Sequence, residues 1–550
     1  MSVQLKQVSS LEKIMQNSVV NPREINKKML MGGECFSYQL VIETSDSTDY
    51  EIGVESPLKD NICIYLVKNA IADLPCYSDR PCFDEDYITK KPALIPDILI
   101  PYENERKHIR TAHGSYAVWV KVSLPENTPP GEYPITISFC PSNPEEEMLS
   151  STMTIEAINT NIPPQGTIFT QWFHTDCIAS VHNVEIYSEE HWDLIEKYIQ
   201  LAGELGINML LTPVITPPLD TEVGARRPCT QLVRIEKSGD DYTFDFTLLE
   251  RWVSVCLAKG IKYFEIAHLF TQWGLECAPN IKVWENGKEE YLFGWHVDAR
   301  SELYKSFLDS FIPALIAFFD KKGLKDRIRF HISDEPSLAH IEQYRYAKSI
   351  VAPLLGDCPI CDAISNYEFF ETGLIENPVV ATNHISPFIE NKVKSMWAYY
   401  CCAQFEYVGN RFLAMPSYRN RILGLQLYKY NIQGFLQWGY NFYYSQRSLM
   451  EINPYITTSG DKSFPSGDSF SVYPVKNGVV PSLRGIIFKE ALNDIEICRT
   501  LEGFIGREKV IEMIDEAAGM TLTFSEYPRN PEYIPDLIEK MEQLIKDFVK

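Results

Sequence analysis

The chain has 550 residues, of which 45% are hydrophobic and 12% aromatic, enough to bury large cores in two or three domains and to exclude a disordered scaffold. Its formal charge of -23 repels phosphate backbones, so no nucleic-acid partner is expected. No apolar run reaches the roughly 18 residues of a transmembrane helix.

The N-terminal stretch MSVQLKQVSSLEKIMQNSVV lacks the apolar core and small-residue cleavage site of a secretory signal, which sets the expectation of a soluble, cytoplasmic protein. The 14 cysteines then read as reduced, mostly buried thiols, among them CPIC at 358–361 and the doublet Cys401 and Cys402. No second ligand pair stands at the spacing a zinc site needs, so structural thiols are favoured over metal or redox chemistry.

In chain order, short β-like runs come first: FSYQLVIE, NICIYLVK, YAVWVKVSLP, YPITISFC and STMTIEAI. Their spacing between turn signals predicts a β-sandwich over residues 1–160. NTNIPPQGT, with Pro163, Pro164 and Gly166, reads as a linker. Beyond it, eight short apolar runs alternate with segments of helical period: TIFTQWFH, INMLLTPV, IKYFEIAHLF, RIRFHISD, CPICDAIS, PVVATNH, SMWAYYC and GFLQWGYN. Helices are expected at SEEHWDLIEKYIQLAGELG, SELYKSFLDSFIPALIAFFDKKG and HIEQYRYAKSIVAPLLG, with Gly206, Gly323 and Gly356 as stops. Eight such units predict a multidomain α/β protein in which a (β/α)8 TIM-type barrel occupies 165–500. A C-terminal helical segment follows over 501–550.

In RFHISDEPS, residues 329–337, a strand-like run ends in two adjacent acids, Asp334 and Glu335, and Pro336 then blocks further ladder pairing. Adjacent acids are ordinary surface residues in a chain with 74 Asp and Glu. Their address at the C-terminal end of the fourth strand is the informative part, because barrel enzymes carry their chemistry on that face. Other strand ends bring His174, Asp220, Trp273, Asn383, His384, Trp397, Tyr399, Trp438 and Asn441 to the same rim. Each residue alone is compatible with a core or hydrogen-bonding role. Together, aromatic faces and fixed polar groups are what a sugar requires.

The chain resembles glycoside hydrolase family 123, the β-N-acetylgalactosaminidases, in VWVKVSLPENTPPGEYPITI, TQWFHTDCIA, LLTPVITPPLDT followed by RRPCTQLV, HISDEP, and GFLQWGYNFYY, taken in the same order. The resemblance implies an exo-acting, retaining enzyme that releases terminal β-linked GalNAc from an oligosaccharide or a glycolipid glycan, with no metal or other cofactor. It implies substrate-assisted catalysis, in which the 2-acetamido oxygen attacks the anomeric carbon to form an oxazolinium ion, outside the usual two-carboxylate scheme. Asp334 would hold and polarise the acetamido N–H, and Glu335 would protonate the leaving oxygen and then activate water. That division of roles requires Asp334 to stay charged while Glu335 holds a proton. Trp397, Tyr399, Trp438 and Asn441 are the first candidates to enclose the sugar. His174, Asp220, Trp273, Asn383 and His384 stand behind them.

The N-terminal sandwich reads as a packing partner of the barrel rather than a carbohydrate-binding module. Two alternatives stay open for the whole chain, a glycosidase for another β-hexosaminide and a noncatalytic glycan-binding protein on the same fold.

Overall fold

The computed structural model of the chain describes residues 3–16, 22–102, 109–272 and 274–550. Two five-stranded sheets form its N-terminal part. One runs in the order Gln4–Ser9, Cys35–Thr44, Gly114–Ser123, Ile62–Ala72, Ala93–Pro101; the other in the order Lys27–Gly32, Leu149–Asn161, Gly131–Pro141, Asp49–Glu55, Ile109–Arg110. Alternation fills the space between the sheets: Tyr38, Leu40 and Ile42 from one meet Ile135, Ile137, Phe139, Met153 and Ile155 from the other. The run VWVKV is apolar at successive positions because its sheet is covered on both faces. Val118 and Val120 point into the sandwich, whereas Trp119 joins the larger core of the following unit.

After Pro163 and Pro164 the chain enters one parallel eight-stranded sheet, and each of the eight predicted runs supplies a strand. These are β1 (Ile168–Gln171), β2 (Met209–Thr212), β3 (Tyr263–Ile266), β4 (Ile328–Arg329), β5 (Ala363–Ile364), β6 (Val379–Ala381), β7 (Trp397–Tyr400) and β8 (Gly434–Gln437). Each strand lies beside its neighbour in sequence, and β8 returns beside β1. The ladder stays open at one place, between β4 and β5, where a single parallel bridge joins Phe330 to Ile360. The expected complete (β/α)8 barrel is not reached: the eight sequential parallel strands form an open sheet whose two end strands are joined only by that bridge.

The seam has a local cause. The carboxylate of Asp362 takes the backbone N–H of Ile332, at 3.0 and 3.2 Å, in place of a strand carbonyl. Two residues later the backbone turns, with Glu335 at φ 42.

The predicted helices are present as Glu189–Glu204, Glu302–Lys321 and Ile341–Leu355. Ser188 and Ser301 cap the first two through their side-chain oxygens, and Gly206, Gly323 and Gly356 all adopt positive φ just beyond the three helices. A long, mostly buried helix, Leu483–Ile505, packs against the sheet unit, and the helices Arg507–Ala518 and Tyr533–Phe548 follow it. None of the described helices is long and apolar enough to cross a membrane. All 14 cysteines are free thiols.

A buried ion pair ties the sandwich to this unit. Asp97, on the edge strand Ala93–Pro101, receives Arg484 Nε and Nη2, both at 2.9 Å, and the Tyr473 hydroxyl at 2.7 Å. Asp97→Ala leaves the guanidinium buried without its counter-charge. The expected loss is about 3–5 kcal/mol, read as a fall in the urea midpoint, whereas the neighbouring exposed Leu94→Ala should change little.

Candidate active site

Strand ends of the eight-stranded sheet surround a pocket lined by Trp172, His174, Leu219, Asp220, Gln272, Asp334, Glu335, Ala363, Tyr399, Cys401, Cys402, Leu436, Trp438, Phe442, Gln446 and Phe464. Strand period selects several of these residues. Trp172 with His174, Tyr399 with Cys401, and Leu436 with Trp438 are two-residue steps that return to the inner face. The acid pair departs from the period. Strict alternation would send Asp334 and Glu335 to opposite sides, but the positive φ of Glu335 turns the chain so that both line one pocket.

Each acid has its own partner. Gln272 Nε2 donates to Asp334 Oδ2 at 2.7 Å, and the Tyr399 hydroxyl donates a short hydrogen bond to Glu335 Oε1. The amide of Gln272 is fixed at both ends, because its oxygen accepts the backbone N–H of Asp220. Burial, and then the charge of Glu335, raises Asp334 to about 8, and burial also raises Glu335 against the stabilising hydrogen bond from Tyr399. The pair thus retains a proton near neutrality and titrates as a unit. Burial raises both acids, so the pocket as it stands does not by itself separate a charged Asp334 from a protonated Glu335.

Below the pair lies a network that the sequence reading did not anticipate. His331 contacts Glu265 at 2.6 Å through Nε2 and Asp362 at 3.2 Å through Nδ1. Burial disfavours its charge, but the hydrogen bonds to Asp362 and Glu265 and their charges prevail and raise it to about 10. Thr170 and Trp172 Nε1 donate to Glu265 at 2.6 and 2.7 Å, and Tyr344 donates to Asp362 at 2.6 Å. His268 stacks on His331 with ring centroids 4.2 Å apart, and neither of its nitrogens has a hydrogen-bond partner among the described residues. Burial, and then the charge of His331, pushes His268 far below its ordinary value, so a neutral ring lies flat on a cationic one.

The other candidates divide. Tyr399, Trp438, His174 and Asp220 line the pocket. Arg227 holds the His174 side, pairing with Asp176 at 2.6 and 2.8 Å and donating to His174 Nδ1 at 3.2 Å. His174 Nε2 then donates to the Trp438 carbonyl at 3.1 Å. Burial, followed by the adjacent guanidinium, lowers His174 to about 3, so the ring is neutral.

Asn441 does not reach the pocket. Fully buried, it brackets the backbone of His174, accepting its N–H at 2.9 Å and donating to its carbonyl at 3.0 Å. Trp397 sits at the start of β7, one inward step deeper than Tyr399, and fills the sheet interior over Gly434, where an added Cβ would overlap its ring. Asn383 and His384 are exposed beyond β6, off the pocket lining, and Asn383 accepts from Gln404 at 2.8 Å. Trp273 lies outside the described residues.

Trp172, Phe442, Phe464 and Gln446 were missed. Trp172 was legible as the residue two before His174 just beyond the end of the same strand, but Phe464 comes from an irregular loop with no period. Trp438 packs against Phe442 and Phe464 with centroids 5.1 and 5.0 Å apart, making one apolar wall, and its Nε1 donates to Asp468 at 2.9 Å. The described residues contain no group of three or more His, Cys, Asp or Glu side chains that could hold a metal ion.

The family model described as glycoside hydrolase 123, catalytic domain, matches residues 172–501. No curated protein matches the chain. Among solved structures, a family 123 glycoside hydrolase from Clostridium perfringens, studied for glycolipid glycan hydrolysis, covers 100% of this chain and 98% of its own at 15% identity and a TM-score of 0.70, a likeness of fold. A Bacteroides ovatus GH5 xyloglucanase is 9% identical, with 85% of this chain and 98% of that one covered, at a TM-score of 0.29. A Ruminococcus gnavus beta-glucuronidase is 8% identical, with 83% and 66% covered, at 0.32. The last two scores are too low to define a shared fold.

The pair's proton sets a pH dependence. A carboxyl whose folded pKa is raised from 3.8 to about 8 favours the folded state fully below the lower value and loses that contribution as pH rises through the upper one. Asp334→Asn keeps an oxygen for Gln272 and cannot ionise. The variant should therefore gain on the wild type between pH 5 and pH 8, to the point of melting higher at pH 8, in thermal melts run at both values.

Proposed function

This chain belongs to glycoside hydrolase family 123, and from that premise we propose that it is a retaining exo-β-N-acetylgalactosaminidase that works through its substrate's own acetamido group. The observation that carries the reading is the adjacent acid pair folded onto one pocket wall. On a hexosaminide the acetamido group and the scissile oxygen are near neighbours, so two acids separated by one peptide unit, about 3.8 Å between Cα atoms, can serve both.

The mechanism follows from how the pair shares its proton. When the acetamido N–H donates to Asp334, a charge-assisted hydrogen bond favours the ionised form there and moves the shared proton to Glu335. Tyr399 already occupies Glu335 Oε1, leaving Oε2 to deliver the proton to the leaving oxygen. Asp334, oriented by Gln272, then offsets the charge that grows on the acetamido group as its oxygen attacks the anomeric carbon. After the aglycone departs, Glu335 is a carboxylate and accepts a proton from the water that opens the oxazolinium ring. Trp172, Trp438, Phe442 and Phe464 supply apolar walls that stack on sugar C–H faces and exclude competing water.

The architecture is read in the same way: a sandwich over 1–160, a (β/α)8 catalytic barrel over 165–500 despite its seam, and a helical segment over 501–550. The glycolipid glycans named for the Clostridium perfringens protein extend to this chain as a proposed substrate class, together with free oligosaccharides ending in β-linked GalNAc.

Aryl and alkyl β-glycosides test the reading. Aryl β-N-acetylgalactosaminide should be cleaved in preference to its gluco epimer, and efficient turnover of the β-galactoside, which has no acetamido group, would sink the mechanism. Glu335→Gln should lose about a hundredfold to ten-thousandfold on an alkyl glycoside but retain much of its rate on a dinitrophenyl glycoside, which needs little protonation. Asp334→Asn should be impaired on both, because a better leaving group does not restore charge to the acetamido side.

A further inference from the structure

Most of the strong hydrogen-bonding groups that line the pocket are already committed to protein partners. Trp172 Nε1 is bound to Glu265, Trp438 Nε1 to Asp468, both nitrogens of His174 to Arg227 and Trp438, and both ends of Gln272 to Asp220 and Asp334. Tyr399 is bound to Glu335. Asp220 is different. Its Oδ2 is buried and has no hydrogen-bond partner among the described residues, although the side chain lines the pocket.

Buried polar atoms are rarely left unsatisfied, and one on a side chain that lines a binding pocket calls for a ligand that satisfies it. The backbone around Asp220 is anchored, which fixes the carboxylate in the pocket wall. Its N–H donates to Gln272, its carbonyl accepts from Ser448 Oγ at 2.6 Å, and its φ is 39, a conformation that Asp and Asn tolerate better than most residues. The loop it occupies is stapled to the loop carrying Gln446: Glu222 N donates to the Arg447 carbonyl at 2.9 Å, and Arg447 Nη1 pairs with Glu222 at 3.2 Å. Arg447 and Ser448 both take positive φ at this staple. Main-chain groups make these anchors, and although a backbone hydrogen bond from Arg447 also supports the charged carboxylate, Oδ2 is left without a partner among the described residues.

We propose that Asp220 Oδ2 accepts a hydrogen bond from an outer hydroxyl of the terminal sugar, at its 3, 4 or 6 position, and so selects among hexosaminides by the placement of that hydroxyl. The proposal rests on the glycosidase reading above. The carboxylate can only accept, so a sugar that turns the hydroxyl away leaves it buried and unpaired, which is the arrangement that discriminates most strongly. Gln446, whose side-chain amide has no hydrogen-bond partner among the described residues, stands on the stapled loop to complete the contact.

The test is a cycle between enzyme and substrate. kcat/KM is measured for the wild type, Asp220→Asn and Asp220→Ala on the aryl β-N-acetylhexosaminide and on its 3-, 4- and 6-deoxy analogues. One deoxy position should cost the wild type about ten- to a hundredfold, the range of a hydrogen bond to a charged group. The same deletion should cost Asp220→Ala little, and losses should simply multiply at the other two positions. Asp220→Asn keeps the main-chain anchors, and its melting temperature verifies the fold. Losses that multiply at all three positions overturn the proposal. So does a glycosyl ester trapped on Asp220 by a 2-deoxy-2-fluoro glycoside, which would make it a nucleophile. Failure of the underlying reading appears separately, in the wild type, as equal turnover with and without the acetamido group. The cycle is then run on whichever parent glycoside is cleaved, so that Asp220 is judged independently.

Discussion

The carboxylate of Asp362 holds together what the pocket depends on. One residue before β5, it accepts the Ile332 N–H that would otherwise extend the β4 ladder, the Tyr344 hydroxyl, and the ring of His331. The first of these interactions ends β4 early and leaves the seam in the sheet. The last fixes His331 between two acids in the sheet interior, with Glu265 on its other side. Fully buried and multiply bonded, Asp362 is satisfied only in this arrangement, and the strand it interrupts is the one that delivers Asp334 and Glu335.

Charge in this interior is layered. A histidine raised to about 10 is cationic across the neutral range, and its stabilising contribution is present below its ordinary value near 6.5 and is lost only as pH rises through about 10. It moderates, without cancelling, the burial that raises Asp334 above it. The result is a pair of carboxyls poised to exchange one proton, resting on a cationic ring that does not titrate with them. Perturbed groups stacked in this way in a cleft mark a functional site more often than a structural one.

The N-terminal sheets also shape the pocket from outside. The chain between Ala72 and Ala93 leaves the first sheet and lies along the segments that follow β7 and β8. Arg419 binds Asp84 at 2.8 Å, the Ile88 N–H meets the Ala414 carbonyl at 2.8 Å, and Leu74 exchanges hydrogen bonds with Ser466. The segment after β7 carries Cys401 and Cys402 into the lining, and the one after β8 carries Phe464. Sandwich and sheet unit thus share a hydrophobic core, and the sandwich supports a wall of the site.

Elements and their order were legible in the primary structure, because they rest on local physics. The eight apolar runs, the serine caps and the glycine stops follow from burial period and backbone preference, which act over a few residues. The acid pair was legible too, through its position at the end of a strand. Long-range decisions were not. That Trp397 lies a step too deep, that Asn441 serves the backbone of His174, and that Asn383 and His384 face away depend on strand depth and loop path, which a period of two does not encode. The proton on the pair, the cationic His331 beneath it and the unpartnered oxygen of Asp220 arise where groups 30 to 230 residues apart in the chain are brought within hydrogen-bonding distance and out of water. The sequence alone determined which chemical groups are present and on which strands they ride, whereas the tertiary structure decided their solvation and partners, because burial and charge proximity exist only once the strands are assembled.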